Sequence, residues 1–253
     1  MIIDFSKYSS VKIGATHDVA VLDEICDFDG VVVGKACNLL VSQNAPKLGI
    51  LGENFDYIYI ENGLLHIGAK TSARKIFEFS KKHDIKGFEL CASVPGCLGG
   101  LLKMNAGLKG ASISDYLVSV LSSNGFVSRQ NCGFEYRKSD IKGVIFGASF
   151  RVEKGFDEGL VRAFDEARKN QPKGASFGST FKNPNGDSAG RLIEAVGLKG
   201  FKIGGCEFSS KHANFLINCG GGSFDDALAL INLAKKRVFE SFGIKLEEEV
   251  VIL

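Results

Sequence analysis

The hydrophobic period of this chain switches repeatedly between two and 3.6 residues, and that switching limits the fold more than any bulk property does. Early in the chain "GVVVG" is a buried-strand candidate, and "YIYIENGLLHIGA" reads as two strands about a Glu-Asn-Gly turn. The period then lengthens: "TSARKIFEFSKKHDI" sets Ala73, Ile76, Phe77 and Ser80 at helical spacing behind Ser72 as cap. Strands return in "YLVSVLSSNGFVSR", around Ser-Asn-Gly, and in "GVIFGASFRVE". The first ~150 residues are therefore mixed α and β, with no repeat or low-complexity segment.

Beyond them, "FDEGLVRAFDEARKNQP" places Leu160, Val161, Phe164 and Ala167 on one helical face closed by Pro172. "DSAGRLIEAVGLKG" buries Leu192, Ile193 and Val196 and stops at Gly197, expected in the left-handed region. Ser223 and Asp226 form a capping box for a helix that Gly243 ends, and "KLEEEVVIL" is expected as a closing strand. A length of 253 residues suggests two domains at ~100 to 200 residues each. The expected partition is 1–153, in two lobes of about 1–55 and 56–153, followed by 154–253, with the break near Lys154.

Charge excludes several partners. Thirty-one basic and 29 acidic residues leave +2, too balanced for a nucleic-acid surface or a polybasic membrane anchor, so any bound anion must be met locally. Seven cysteines without a Cys-x-x-Cys pair suggest neither a disulfide framework nor a zinc ribbon, and fit a reducing cytoplasm. "MIIDFSKYSS" lacks the apolar run of a signal peptide, and no window reaches the ~18 apolar residues of a membrane span, so a soluble, unexported protein is expected. Four histidines, none at metal-ligand spacing, argue against a metal site.

The densest chemical signal is "ASVPGCLGGLLKMNAGLKG", Ala92 to Gly110. Its glycines let backbone amides converge on phosphate oxygens without any lysine, although the same residues serve equally as tight turns between strands. "GKACNLLVS" is a second loop that adds amides and Asn38. In "FEYRKSD", Arg137 offers a planar fork suited to a carboxylate, or is simply a wet strand-edge residue. Ser179, in "SFGSTFKNP", either turns the chain or presents its hydroxyl to a reacting group, with Lys182, Lys173 and Arg137 as nearby cation candidates. Gly-x-Ser-x-Gly is absent around it, which disfavours hydrolysis. "SSKHANFLIN" adds Lys211 as a phosphate contact and His212, a satisfied histidine at a strand entrance on the blander reading. Alternation sends Glu247 and Glu249 of "LEEEVVIL" to one face and Glu248 to the other.

Taken in order, "VPGCLGGLLKMNAGLKG", "YRKS", "QPKGASFGSTFKNP", "AGRLIEAVGLKG", "SSKHANFLIN" and "LEEEVVIL" resemble the MurB family of UDP-N-acetylenolpyruvoylglucosamine reductases, from about Lys12 to the last residues. The resemblance implies an α+β fold, with a two-lobed FAD-binding module of the vanillyl-alcohol-oxidase (PCMH) type and a smaller α/β substrate-binding domain. It implies a cytoplasmic flavoenzyme of peptidoglycan precursor synthesis, in which NADPH reduces FAD and hydride passes to the enolpyruvyl group of a UDP-sugar, giving UDP-N-acetylmuramate. Arg137 looks like the family's carboxylate-holding arginine, Ser179 like its proton donor and Glu249 like its catalytic glutamate. FAD contacts are expected from Gly34, Lys35, Ala36, Cys37, Asn38 and Leu39, from Ser93, Val94, Pro95, Gly96, Gly99 and Gly100, and from Asn105, Ala106 and Gly107. Substrate contacts are expected from Tyr136, Lys173, Lys182, Asn183, Lys211 and His212, with no metal.

The chain departs from the family where Gly-Gly-Gly-Ser-Asn is usual, having Gly34, Lys35, Ala36, Cys37 and Asn38, and where Ser93 replaces glycine. Leu101 and Lys103 depart from the usual small or apolar residues. No room exists between Lys154 and Gln171 for the substrate-covering insertion of the longer family members, so the shorter type is expected. Two other readings are a flavin oxidase of the same fold acting on another substrate, and a nucleotide-binding protein without catalysis.

Overall fold

The computed structural model describes residues 1–253. The architecture is α+β and divides into two compact units: Met1 with Val19–Lys35 and Lys47–Lys169, and Ile2–Asp18 with Ala36–Pro46 and Asn170–Leu253.

The first unit is built on a five-stranded antiparallel sheet in the order Gly125–Ser128, Leu117–Ser122, Ile145–Arg151, Leu64–Gly68, Ile58–Glu61. Asn62 and Gly63, at φ 50 and 77, make the tight hairpin turn that the Glu-Asn-Gly run dictates. Registers Ala148↔Ile67, Phe150↔Leu65 and Val120↔Ala148 put one apolar row on the core face. The helices Ala73–Lys82, Leu98–Lys103 and Glu158–Arg168 contribute Ile76, Leu98, Leu102 and Phe164 to the same core. Ser72 caps the first of them by accepting from Lys75 N. Val19–Leu22 and Val31–Val32 pair in parallel with Leu48–Leu51 in a separate small sheet.

The second unit carries a four-stranded antiparallel sheet ordered Ala175–Ser179, Phe215–Asn218, Cys206–Phe208, Lys202–Ile203. The helices Ala189–Ala195 and Phe224–Phe242 pack on it through Leu192, Ile193, Leu230, Ala234 and Val238. The long helix begins with the reciprocal Ser223–Asp226 capping box and ends at left-handed Gly243 (φ 68). Leu39–Leu40 pairs in parallel with Val251–Ile252.

Two expectations need correction. The chain does not divide near Lys154 into consecutive halves. Phe164 is fully buried in one core with Phe88 and Phe150, which keeps the helix Glu158–Arg168 in the first unit. Val11, Ile13 and Leu40 are buried with Phe181 and Leu192, which draws Ile2–Asp18 and Ala36–Pro46 into the second. The closing strand is also shorter than "KLEEEVVIL": only Val251–Ile252 joins a ladder, and Glu248 makes an isolated bridge to Phe181. No helix is long and apolar enough to cross a membrane.

Candidate active site

Ser179 ends the strand Ala175–Ser179, and the residues just before it aim its side chain. The ladder to the neighbouring strand pairs Ser176 with Ile217 and then Ser179 with Phe215, so a bulge intervenes. Gly178 sits inside that bulge at φ 88, a left-handed conformation that costs glycine nothing and a side-chain-bearing residue about 1–2 kcal/mol. Ser176 Oγ accepts from Gly178 N at 3.1 Å and holds the kink. A bulge of this kind re-aims the next side chain. Ser179 is half-buried whereas Thr180 is fully buried, so the serine is the more accessible of the two.

The chain beyond Ser179 is pinned from two directions. Thr180 N donates to Asn214 O at 2.7 Å, and the Asn214 amide then takes both backbone groups of Phe181, at 2.9 and 2.8 Å. From the other direction, Thr180 O accepts from Glu249 N at 2.9 Å and Val250 N at 3.3 Å, and Lys182 N donates to Glu247 O at 2.9 Å. The backbone of Glu249 is thereby fixed to the residue following Ser179, although the two lie far apart in sequence. Asn38 Nδ2 donates to Glu249 O at 2.8 Å, holding the same residue through its carbonyl. Because one carbonyl serves two successive amides, the strict alternation expected for Glu247 and Glu249 is interrupted at this point. Lys182 pairs with Glu247 and Lys235 with Glu248, the latter at 2.6 Å.

His212 is packed rather than poised. Its Nδ1 accepts from Asn214 N at 3.3 Å, its ring meets Phe215 edge-on at 5.0 Å, and a Cβ built on Gly190 would lie 3.2 Å from its Cε1. Burial pushes its pKa below the ordinary value of 6.5, favouring neutral imidazole. Asn183 Oδ1 accepts from Ala189 N at 3.1 Å, engaging the start of a helix. Lys173 and Lys211 are exposed, and Lys211 N donates to Ser209 Oγ at 3.0 Å.

In the same unit Ala36 is buried at φ 46. Ser10 donates its N–H to Ala36 O and its hydroxyl to Cys37 O, at 3.2 and 3.1 Å, which turns those carbonyls inward. The amides of the same trans peptide units, Cys37 N and Asn38 N, point the opposite way. Leu39 joins the ladder to Val251.

In the first unit, Gly34 is required by close packing: an added Cβ would lie 2.6 Å from Cys97 Sγ. Lys35 is exposed. The loop from Ser93 to Gly100 has fewer open donors than its composition suggests. Ser93 N and Val94 N both bond Leu90 O, at 3.1 and 3.0 Å, Leu98 N bonds Thr71 O at 3.0 Å, and Gly99 N bonds Ala69 O at 2.9 Å. Pro95 has no amide hydrogen. Ser93 Oγ donates to Asp165 at 2.7 Å, which ties the loop to the helix Glu158–Arg168. Open approach remains at Gly100, where an added Cβ meets nothing within 4 Å.

Arg137 occupies a tight turn closed by Glu135 N to Lys138 O (3.0 Å) and Lys138 N to Glu135 O (3.3 Å). Its φ of 55 is unusual for a bulky residue and stores strain of about 1–2 kcal/mol. The guanidinium lies 5.0 Å from the Tyr136 ring centroid and donates to Gly107 O at 3.0 Å. Asn105 supports this turn: Nδ2 donates to Glu135 O at 3.0 Å, and Oδ1 accepts from Ser114 Oγ at 2.8 Å. Ala106 is buried, its N–H on Leu101 O and its carbonyl taking Ile113 N.

The side chains of Asn38, Asn105, Ser93 and Asn183 each hold at least one hydrogen bond to a protein group. Sequence reasoning gave no role to Asp165, Ser114 or the Asn214 amide, nor to Glu89. That carboxylate is buried, and accepts from Gly87 N and Asp157 N at 2.7 and 3.0 Å. Their partners are 2 to 72 residues away, so only the fold reveals most of these pairings.

The arrangement defines a class first. Over 100% of its length the chain superposes on 98% of the crystal structure of UDP-N-acetylenolpyruvylglucosamine reductase (MurB) from Thermus caldophilus, with a TM-score of 0.86 and 28% sequence identity. The fold is that of a two-unit α+β protein of that structural class. Residues 170–253 match the model of the UDP-N-acetylenolpyruvoylglucosamine reductase C-terminal domain. A UDP-N-acetylenolpyruvoylglucosamine reductase of Campylobacter jejuni (strain RM1221) is 54% identical over 258 residues, covering 100% of both chains, and one of Helicobacter pylori (strain ATCC 700392 / 26695) is 46% identical, covering 99% of this chain and 98% of its own. The chain belongs to the UDP-N-acetylenolpyruvoylglucosamine reductase family.

Proposed function

We propose that this protein reduces the enolpyruvyl group of UDP-N-acetylglucosamine enolpyruvate to UDP-N-acetylmuramate, a step of peptidoglycan precursor synthesis, using FAD and taking its electrons from NADPH. The observation that carries the reading is the fixing of Glu249 to Thr180, which ties the main chain of one candidate catalytic residue to the immediate neighbour of another, Ser179, in a chain of this family. The open backbone at Gly100, where an added Cβ would meet nothing within 4 Å, suits the close approach of an FAD phosphate. When bound, FAD supplies the hydride, obtained from NADPH, that adds to the terminal vinyl carbon.

The roles of the side chains follow from the charge this addition creates. Negative charge develops on the carbon bearing the carboxylate and spreads into that carboxylate. A fixed cation and hydrogen-bond donors aimed there lower the barrier. Arg137, held in a strained turn by Asn105 and Gly107, supplies a permanent cation for the carboxylate. Glu249, its backbone fixed by Thr180 and Asn38, is the third of the groups assigned to the reaction. The Ser179 hydroxyl delivers the proton to the carbanionic carbon, whose basicity makes a weak acid sufficient. One hydride and one proton are added, and the ether becomes saturated. His212 serves this site as packing, since its acceptor nitrogen is occupied. Beyond the single equivalent that reduces its flavin, protein carrying FAD should turn over NADPH only when the enolpyruvyl UDP-sugar is added; oxygen consumption indifferent to that sugar would favour an oxidase instead.

A further inference from the structure

The Asn214 side chain is buried to within 3% of full coverage and spends its whole amide on one residue, Phe181. A buried amide must find partners, but the partners chosen here are informative. Phe181 N donates to Oδ1 at 2.9 Å and Nδ2 donates to Phe181 O at 2.8 Å, so the side chain acts as a substitute strand. Together with Thr180 N on Asn214 O, this orients three successive peptide planes directly after Ser179. The regular ladder cannot do so, because its last register pair is Ser179↔Phe215 and a bulge precedes it. Asn214 is itself held by its N–H on His212 Nδ1, and His212 is wedged against Gly190 and Phe215.

We infer that Asn214 is a positioning residue for Ser179: the amide clamp on Phe181 sets the direction of the serine hydroxyl and, through Thr180 O, the placement of the Glu249 backbone. The inference rests on the proposed reductase function. It differs from a purely structural role in one respect, which is that its effect on turnover passes through the serine hydroxyl.

The test is a double-mutant cycle on the FAD-loaded full chain, with NADPH and UDP-N-acetylglucosamine enolpyruvate. Asn214→Ala should lower kcat about 10²-fold, the scale of a misplacement of roughly 1 Å, with KM for the UDP-sugar changed less than about 3-fold. Flavin bleaching by NADPH alone, read by absorbance, should stay within about 2-fold of wild type, because that half of the cycle does not use the serine. In a Ser179→Ala background, Asn214→Ala should cost less than about 3-fold more, since residues acting as a unit are not additive. Asn214→Asp, which keeps Oδ1 but sets an oxygen against Phe181 O, should repeat the pattern with the fold retained by circular dichroism. Losses that multiply in the double variant, or flavin bleaching slowed as much as turnover, overturn the inference. Unfolding of both variants would make Asn214 a structural peg and also overturn it. A wild-type chain inactive on the enolpyruvyl sugar overturns the proposed function and this inference with it, a result distinct from an active wild type with multiplying losses.

Discussion

Thr180→Val should stabilise the protein without slowing it. Thr180 is fully buried and its hydroxyl has no hydrogen-bond partner. An unpartnered buried hydroxyl costs about 1–3 kcal/mol, and valine fills nearly the same volume with a methyl group in its place. The backbone bonds of Thr180, to Asn214, Glu249 and Val250, are untouched by the exchange. Taking roughly 1–2 kcal/mol as the gain, and about 2–4 °C per kcal/mol for a chain of this size, Tm should rise by about 2–8 °C. Calorimetry and urea denaturation at one fixed FAD concentration measure this, since bound cofactor shifts apparent stability. Because consecutive strand residues face opposite ways, kcat should change less than about 2-fold. Thr180→Ser, which keeps the hydroxyl and loses a methyl group, should destabilise by about 1 kcal/mol. A loss of stability above roughly 1 kcal/mol in the valine variant alone would mean that the hydroxyl is satisfied, and would refute the reasoning.

Other predictions test the surroundings. Gly34→Ala forces a Cβ to 2.6 Å from Cys97 Sγ and should cost about 1–3 kcal/mol in urea unfolding; Cys97→Ala should relieve part of that cost, with a coupling above about 0.5 kcal/mol. His212, held below its ordinary pKa by burial, should titrate below 6.5 by NMR. The unfolded chain binds this proton more readily than the folded one, so stability should fall as pH drops beneath about 6.5, and His212→Gln should flatten that slope.

Local features were the legible ones. The Ser223–Asp226 box, the Ser72 cap, the Asn62–Gly63 hairpin and the left-handed Gly197 and Gly243 all follow from residue chemistry within a few positions. Ser179 and Glu249 carried a motif, but their connection did not, because Thr180 and Glu249 meet only when distant segments pair. The partition of the chain was misread for the same reason: Val11, Ile13 and Leu40 look like any apolar residues until their partners in the second core are known. The amide of Gly99 was expected to be open because glycine density reports flexibility, while the residue that consumes it, Ala69, lies in a turn elsewhere in the sequence. Asn214 carried no signal beyond an asparagine preceding a buried run, since its clamp reaches Phe181 across 33 residues.

The central claim is that Ser179 delivers the proton that completes reduction of the enolpyruvyl double bond. It is tested most directly by running the FAD-loaded protein with NADPH and UDP-N-acetylglucosamine enolpyruvate in deuterium oxide, for the wild type and for Ser179→Ala, and analysing the product by mass spectrometry and NMR. The account predicts UDP-N-acetylmuramate with one solvent-derived deuterium on the carbon bearing the carboxylate, and a turnover lowered at least about 10²-fold in the alanine variant. Wild-type protein that forms no such product, or an alanine variant that forms it at the wild-type rate, would contradict it.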